Sequence, residues 1–272
     1  MMMNVSNSIN RWFETILEEY IDKRTANYPL MSSFNVPITI LFTYLFFVLY
    51  AGPRLMQNRK PFSLKWILIT YNLILSLVNL FFFFKILIES NYCRYLLNVD
   101  YHSSNRFEFV NAKNLTYWWI YLWSKYLDMF DTIFFVLRKK QSQITGLHVY
   151  HHASVATMGW FYFRLRPFNI ISGAFGLINA PIHTIMYAYY GLAAIGPHMQ
   201  KYLWWKRYIT QIQIFQFILL FIYAIYFVTY QNGYPSFYVY DLFFQTTLYL
   251  ILFTRFYIRS YVKNQPKSVK NE

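Results

Sequence analysis

Long apolar runs alternate with short polar segments along most of the chain. Seven of these runs approach the roughly 20 residues that a helix needs to cross the hydrocarbon core of a bilayer. They cover residues 36–52, 66–88, 117–137, 147–163, 168–192, 208–230 and 237–256. Residues 81–84 are four consecutive phenylalanines, whereas a transmembrane β-strand alternates in polarity. The pattern predicts an all-α polytopic membrane protein with seven transmembrane helices.

The segment before the first span differs from a signal peptide, because charged side chains such as Glu14 and Arg24 interrupt any apolar stretch. Trp12, Ile16 and Tyr20 recur at helical spacing. We therefore expect a short amphipathic helix at the membrane surface in this segment.

The composition agrees with a membrane protein, since 57% of the residues are hydrophobic and 23% are aromatic. The net charge of +14 does not indicate a nucleic-acid partner, because the basic residues lie in short loops beside apolar spans. Fifteen Lys and Arg fall on one side of the predicted spans and eight on the other. This bias predicts a cytosolic C-terminus and a lumenal or outer N-terminus. We divide the chain into a non-cytosolic segment (1–35), a seven-span domain (36–258) and a basic cytosolic tail (259–272).

The third span contains ionisable groups, which are costly inside a membrane and are therefore functional candidates. Lys125 and Asp128 are three residues apart, so they can form an internal ion pair. Asp131 and Thr132 continue the same polar strip. A role in packing helices together and a role in function are equally compatible with this strip.

The fourth span begins with three histidines, His148, His151 and His152. Their spacing places all three imidazoles within about one third of the helix circumference. The basic run at residues 138–140 puts them near the cytosolic end of the span. Three imidazoles on one face favour metal or acyl chemistry over a packing role.

The fifth and sixth spans carry further polar faces. On the fifth, an amide, an imidazole and phenols share one face: Asn179, His183, Met186, Tyr187 and Tyr190. Pro181 is expected to bend this helix and suits a cavity wall. On the sixth, Thr210, Gln213 and Gln216 are suited either to bonds between helices or to substrate contact.

Two kinds of histidine chemistry are open at this point. A histidine-box di-iron enzyme would need about eight ligands, whereas only four of the chain's 6 histidines lie in spans, and His102 and His198 fall in loops on opposite sides. A mononuclear metal site with three or four imidazoles is still compatible with the count. Alternatively, an imidazole acts directly as a nucleophile or general base in a water-excluded cavity.

Four ordered segments give a more specific answer. They are KYLDMFDT at 125–132, HVYHH at 148–152, NAPIHTIMYAYY at 179–190 and TQIQIFQF at 210–217, with FFVLRKK at 134–140 between the first two. These segments resemble the signature boxes of the fatty-acid elongase (ELO) family in order and spacing. The resemblance covers about residues 30–260.

The resemblance implies a multi-span enzyme of the endoplasmic reticulum membrane. It would condense a long-chain acyl-CoA with malonyl-CoA to give a 3-oxoacyl-CoA, carbon dioxide and CoA. Both thioesters are substrates, so no cofactor and no metal is expected. Spans two to seven would enclose a narrow acyl tunnel. The other enzymes of the elongation cycle, the reductases and dehydratase, and membrane lipid are the expected partners; a homodimer is compatible with the sequence.

The resemblance also assigns roles to residues. His151 would carry the acyl group as an acyl-imidazole, assisted by His183 across the cavity, because the lone cysteine, Cys93, falls on the non-cytosolic side. Asn179, His152 and Tyr187 are candidates to stabilise an enolate. His148 and the Lys125, Asp128 and Asp131 strip would orient the imidazoles, with Gln213 and Gln216 in supporting positions. Cations at the cytosolic mouth would hold the CoA phosphates: Arg138, Lys139, Lys140, Lys201, Lys206 and Arg207.

Some positions depart from the family pattern. Asp128 stands where glutamate is usual, and Ala180 and Pro181 follow Asn179. Only Lys270 remains of a di-lysine retrieval signal. A seven-span protein that binds or transports lipid without making bonds is the alternative of a different class.

Overall fold

The computed structural model describes residues 21–89, 96–100, 112–165, 170–234 and 236–263. Nine α-helices lie in these ranges: α1, Asn35–Phe46; α2, Gly52–Met56; α3, Lys65–Glu89; α4, Ala112–Asp128; α5, Phe130–Leu137; α6, Gly146–Leu165; α7, Ile170–Ile195; α8, Lys206–Tyr230; and α9, Ser236–Tyr257. Apart from an isolated bridge between Asp100 and Asn232, the regular structure in these ranges is helical. The all-α prediction is confirmed. The helix expected around Trp12, Ile16 and Tyr20 falls outside the described residues.

Five helices are long and apolar enough to cross a membrane. They are Asn35–Met56, which joins α1 to α2 through a π-helical turn, Lys65–Ile88, Ile170–Ile195, Lys206–Tyr230 and Ser236–Val262. The chain is therefore a membrane protein. The predicted third span coincides with α4 and α5, and the predicted fourth span coincides with α6. The lysine, aspartates, histidines and arginine of these helices lower their apolar content.

The predicted third span is interrupted. A turn at Met129 separates α4 from α5, where a single helix over 117–137 was expected. The Met129 N–H donates to the Tyr126 carbonyl at 3.2 Å, three residues back, so the helix tightens locally as in a 3₁₀-helix. The interruption lies between Asp128 and Asp131 and separates the two carboxylates into different helices.

The chain forms two compact units, and both are discontinuous in sequence. The first unit comprises 1–67 and 107–173, and the second comprises 68–106 and 174–272. The boundaries fall inside α3 and α7.

In the first unit, the segment before α1 packs against α4 and α6. The Trp160 indole Nε1 donates to the Leu30 carbonyl at 2.8 Å, and the Tyr28 and Thr116 hydroxyls lie 2.9 Å apart. Phe34 packs edge-on against Trp160 with 5.1 Å between ring centroids. Aromatic rings whose polar atoms reach a backbone carbonyl or a side-chain hydroxyl fix this segment against both helices.

The charged end of α6 contributes to the same contact. Arg164, only 6% exposed, donates from Nη1 to the Asp22 carbonyl at 3.2 Å and to the Thr25 hydroxyl at 3.0 Å. A buried guanidinium needs such acceptors, because an unpaired cation would be costly there.

Elsewhere in the first unit, the junction of α1 and α2 lies close to α5. A Cβ on Gly52 would come within 2.8 Å of both the Phe47 carbonyl oxygen and a Val136 methyl group, so glycine is required for this approach. The Tyr44 and Thr132 hydroxyls are 2.7 Å apart and join α1 to α5.

In the second unit, α3 and α7 pack antiparallel. The Ser76 hydroxyl donates to the Thr184 carbonyl at 3.0 Å, and the Tyr71 and Tyr187 rings meet edge-on at 6.2 Å. The short connection between α8 and α9 makes these helices antiparallel, and the Phe217 and Phe253 rings pack between them at 4.9 Å.

Candidate active site

The histidine triplet lies at the start of α6. The Thr145 hydroxyl accepts a hydrogen bond from the His148 backbone N–H at 3.2 Å, and the Thr145 carbonyl accepts one from Val149 at 3.0 Å. Thr145 therefore acts as an N-cap, a role for which threonine is favoured. This cap fixes where the helix begins and places all three histidines in its first two turns.

The three imidazoles form a compact cluster. The ring centroids of His148 and His152 are 4.3 Å apart, and those of His151 and His152 are 5.4 Å apart. Phe135 of α5 packs against His148 at 5.1 Å. His152 is 6% exposed, and His148 Nε2 is buried without a hydrogen-bond partner among the described residues. His148 and His151 are half-buried, so the cluster is partly shielded from solvent, which suits chemistry that must exclude water.

Lys125 and Asp128 form a buried ion pair on α4. The Lys125 Nζ lies 3.1 Å from Asp128 Oδ2, and the side chains are 4% and 5% exposed. The Lys125 ammonium also lies 4.9 Å from the centroid of the Tyr121 ring, within reach of a cation–π interaction. The ion pair predicted from the i, i+3 spacing is present.

The remaining candidates of the first unit lie along α5 and just after it. Asp131, in the first turn of α5, is half-buried. Arg138 is half-buried, and Lys139 and Lys140 are exposed. Lys139 adopts a left-handed φ of 54°, and its Nζ donates to the Gln57 carbonyl at 3.1 Å. One of the six cations predicted to hold the CoA phosphates therefore already contacts a backbone oxygen.

The second unit holds His183 and Tyr187 on α7. Both are buried, with 4% and 0% exposure, and their ring centroids are 5.8 Å apart. They are four residues apart, so they stack on one helical face as the sequence predicted.

The amides of the second unit join α7 to α8. Asn179 Nδ2 donates to Gln216 Oε1 at 3.4 Å, and both residues are buried. Gln213 Nε2 lies 3.4 Å from the Met186 sulfur. Lys206 and Arg207, at the start of α8, are exposed, and Arg207 Nη2 donates to the Tyr208 hydroxyl at 2.8 Å.

The predicted residues therefore form two sets. The first unit holds the histidine triplet, the ion pair and the basic run, and the second unit holds His183, Tyr187 and the amides. Their catalytic and binding roles stay predictions. The sequence reasoning did not single out Thr145 or the buried polar residues Asn72, Ser76 and Asn79 of α3. The three α3 residues could have been recognised because small polar residues recur there at helical spacing within an apolar span.

Histidine and carboxylate side chains occur in the part of the chain that the structure describes. No group of three or more histidine, cysteine, aspartate or glutamate side chains there is arranged to hold a metal ion.

Comparison with known proteins identifies the family. The family model of the GNS1/SUR4 family, ELO, matches residues 29–269. The chain is 40% identical to very long chain fatty acid elongase 7 of Rattus norvegicus over 260 residues, 92% of this chain and 90% of the relative. It is 38% identical to very long chain fatty acid elongase 1 of Homo sapiens over 253 residues, 91% of this chain and 88% of the relative. Very long chain fatty acid elongase 4 of Mus musculus is 39% identical over 267 residues, 96% of this chain and 80% of the relative. The chain belongs to the ELO family, and the predicted resemblance to fatty-acid elongases is confirmed.

Proposed function

We propose that this protein condenses a long-chain acyl-CoA with malonyl-CoA, the first step of a fatty-acid elongation cycle. The observation that carries the proposal is the shielded cluster of His148, His151 and His152 at the start of α6, in a chain of the elongase family. Imidazole is a competent nucleophile and base, and burial among apolar groups protects a reactive acyl intermediate from water.

His151 is the proposed acyl carrier. Its imidazole attacks the thioester carbonyl, the C–S bond breaks, and CoA leaves with the proton that the imidazole gives up. The result is an acyl-imidazole on His151. His183 assists this step as a second imidazole, and His148 and the Lys125–Asp128 pair orient the histidines.

The second half of the reaction uses malonyl-CoA. Loss of carbon dioxide leaves an enolate, whose carbon attacks the acyl carbon on His151. The C–N bond to the imidazole then breaks, and its nitrogen takes up a proton from solvent in place of the one that left with CoA, giving the 3-oxoacyl-CoA and free histidine. Asn179, His152 and Tyr187 are the proposed donors to the enolate oxygen, since hydrogen bonds that strengthen as charge develops lower the barrier. Neither half requires a cofactor.

The membrane arrangement follows the same proposal. Seven spans cross the membrane of the endoplasmic reticulum, with the N-terminus in the lumen and the C-terminus in the cytosol. Spans two to seven surround an acyl tunnel, and the cations after α5 and at the start of α8 attract the CoA phosphates at its cytosolic mouth. The reductases and dehydratase of the cycle are the proposed partners, and a homodimer is the proposed assembly.

Release of labelled carbon dioxide tests this function directly. Purified protein in lipid is given a long-chain acyl-CoA and malonyl-CoA labelled in its free carboxyl group. We expect label in carbon dioxide only when both substrates are present, and an acyl group on His151 by mass spectrometry when malonyl-CoA is omitted. Binding of acyl-CoA with no carbon dioxide release and no adduct would instead support a lipid-binding or transport protein.

A further inference from the structure

A strip of small polar residues runs along the buried face of α3. Asn72, Ser76 and Asn79 are 3%, 9% and 0% exposed, and their spacing of four and three residues places them on one side of the helix. All three belong to the second unit. Within an otherwise apolar membrane helix, such a strip needs a physical reason.

The two asparagines leave an acceptor unused. Asn72 Nδ2 donates to the Leu68 carbonyl at 2.6 Å, and Asn79 Nδ2 donates to the Leu75 carbonyl at 2.8 Å. Only the amide nitrogen can donate, so these bonds fix the orientation of each amide. The two Oδ1 atoms are buried and have no hydrogen-bond partner among the described residues. Buried acceptors are nearly always satisfied, so an unpaired oxygen that lies along the path of a bound molecule with an N–H group is a candidate to accept from it.

Contacts with α7 show where Ser76 and Asn72 lie along the helix pair relative to His183. Ser76 bonds the carbonyl of Thr184, the residue after His183. Asn72 lies opposite Gly191, where a Cβ would be 3.5 Å from the Asn72 Cβ. Along α3, Asn72 is four residues, about 6 Å, from Ser76, and along α7, Gly191 is eight residues, about 12 Å, from His183. Asn72 thus lies about 6–12 Å from the level of His183, toward the end of the pair where α3 begins and α7 ends.

The cations of the second unit lie at that same end. Leu203 and Ile209 pack in one buried cluster with Leu75 and Tyr187, so the start of α8 is close to the beginning of α3. Lys206 and Arg207 are exposed there. Asn72 therefore lies between the proposed phosphate-binding cations and the level of His183.

We infer that Asn72 Oδ1 accepts a hydrogen bond from the pantetheine arm of the bound CoA thioester, at the amide N–H nearest the sulfur. The inference rests on the proposed function. With the phosphates at the cations and the thioester at the imidazoles, the pantetheine arm must pass Asn72. Two carbon atoms separate the sulfur from that amide nitrogen, about 4 Å in an extended arm. A hydrogen bond of about 3 Å to Oδ1 brings the reach to about 7 Å, which falls within the separation between the His183 level and Asn72.

Asn79 provides a matched control. It lies on the same face, three residues beyond Ser76 and on the far side of the His183 level, where the acyl chain has no N–H to donate. Asn72→Leu and Asn79→Leu make the same chemical change, and each removes an unpaired buried oxygen. We expect neither variant to unfold at a lower temperature than the wild type, because an apolar group of similar shape replaces an amide with an unsatisfied acceptor.

The experiment pairs these variants with a modified substrate. Malonyl-CoA is compared with an analogue in which an ester oxygen replaces the amide nitrogen nearest the sulfur, and kcat/KM is measured from carbon dioxide release. We expect the wild type and Asn79→Leu to lose about 3- to 10-fold in kcat/KM with the analogue, as for one hydrogen bond. Asn72→Leu should show a similar loss with malonyl-CoA and no further loss with the analogue.

The possible results distinguish failure of the proposed Asn72 hydrogen bond from failure of the proposed condensation reaction. An equal amide-to-ester ratio in the wild type and Asn72→Leu would overturn the inference while condensation stands. A wild type that releases no carbon dioxide from either substrate would overturn both. A wild type with equal kcat/KM for malonyl-CoA and the ester analogue would also overturn the inference, because the amide would then have no acceptor in the site.

Discussion

Lys125 and Asp128 neutralise each other inside the first unit, with 3.1 Å between Nζ and Oδ2 and both side chains nearly inaccessible to solvent. Removal of one partner leaves a buried charge, which costs far more than the pair itself contributes. We expect Asp128→Asn and Lys125→Met each to reduce the free energy of unfolding by about 3–5 kcal/mol. Thermal unfolding in detergent is the measurement.

A double variant separates the cost of the orphaned charge from the value of the pair. Lys125→Met with Asp128→Leu should recover much of the stability lost by either single change. Asp128→Glu, which keeps the charge, should unfold close to the wild type. Arg24→Ala, which breaks a pair whose arginine is half exposed, should change little. Additive losses in the double variant would contradict the idea that the two charges depend on each other.

Substitution of His151 tests whether its imidazole carries the acyl group. His151→Ala should abolish carbon dioxide release, since no other group takes the acyl chain in the proposed reaction, while the protein still elutes as a folded species. His198→Ala is the matched control, because His198 is exposed in the 3₁₀-helix Pro197–Tyr202. Near-normal turnover by His151→Ala would remove the acyl-imidazole from the mechanism.

Gln216 accepts a hydrogen bond from Asn179, so we expect it to position that amide rather than to contact the substrate. Gln216→Met removes the acceptor 3.4 Å from Asn179 Nδ2 while keeping a similar shape. We expect kcat to fall about 10-fold through a misplaced enolate donor, with KM for malonyl-CoA little changed. Gln211→Met on the exposed side of the same helix should behave as the wild type. A change confined to KM would assign Gln216 to substrate binding instead.

Arg164 fixes the segment before α1 to the end of α6. Arg164→Leu removes its bonds to the Asp22 carbonyl and the Thr25 hydroxyl and should cost about 2–3 kcal/mol of stability. Limited proteolysis should then cut residues 21–34 faster than in the wild type. Arg259→Leu, at an exposed position after α9, is the control. Equal cleavage rates in both variants would show that Arg164 does not hold the segment.

Local spacing in the sequence predicted much of this structure. Apolar runs predicted the helical fold and seven spans, and five of the spans coincide with described helices that are long and apolar enough to cross a membrane. The separation of Lys125 and Asp128 by three residues predicted their ion pair. Both signals depend only on residues close in sequence, because helix geometry determines which nearby side chains lie on the same face and contact each other. The histidine cluster follows the same rule.

Contacts between distant segments could not be predicted in this way. The Tyr44–Thr132 bond joins residues 88 positions apart, and the unpaired oxygens of Asn72 and Asn79 depend on what surrounds α3. An asparagine in an apolar run does not indicate which groups on other helices will surround its side chain. The turn at Met129 likewise depends on the packing of α5, since the local sequence holds no proline or glycine to mark it.

The interleaving of the two units constrains the order in which the chain can fold. Residues 1–67 need 107–173 to complete the first unit, and 68–106 need 174–272 to complete the second. The four segments are synthesised in an order that alternates between the two units. The helices of each early segment are therefore inserted into the membrane before the segment that completes their unit has been made. Arg164 and Trp160 emerge more than a hundred residues after the segment that they hold. Quality control during synthesis would therefore meet the segment before α1 without its partners on α6 until about 130 further residues have been made.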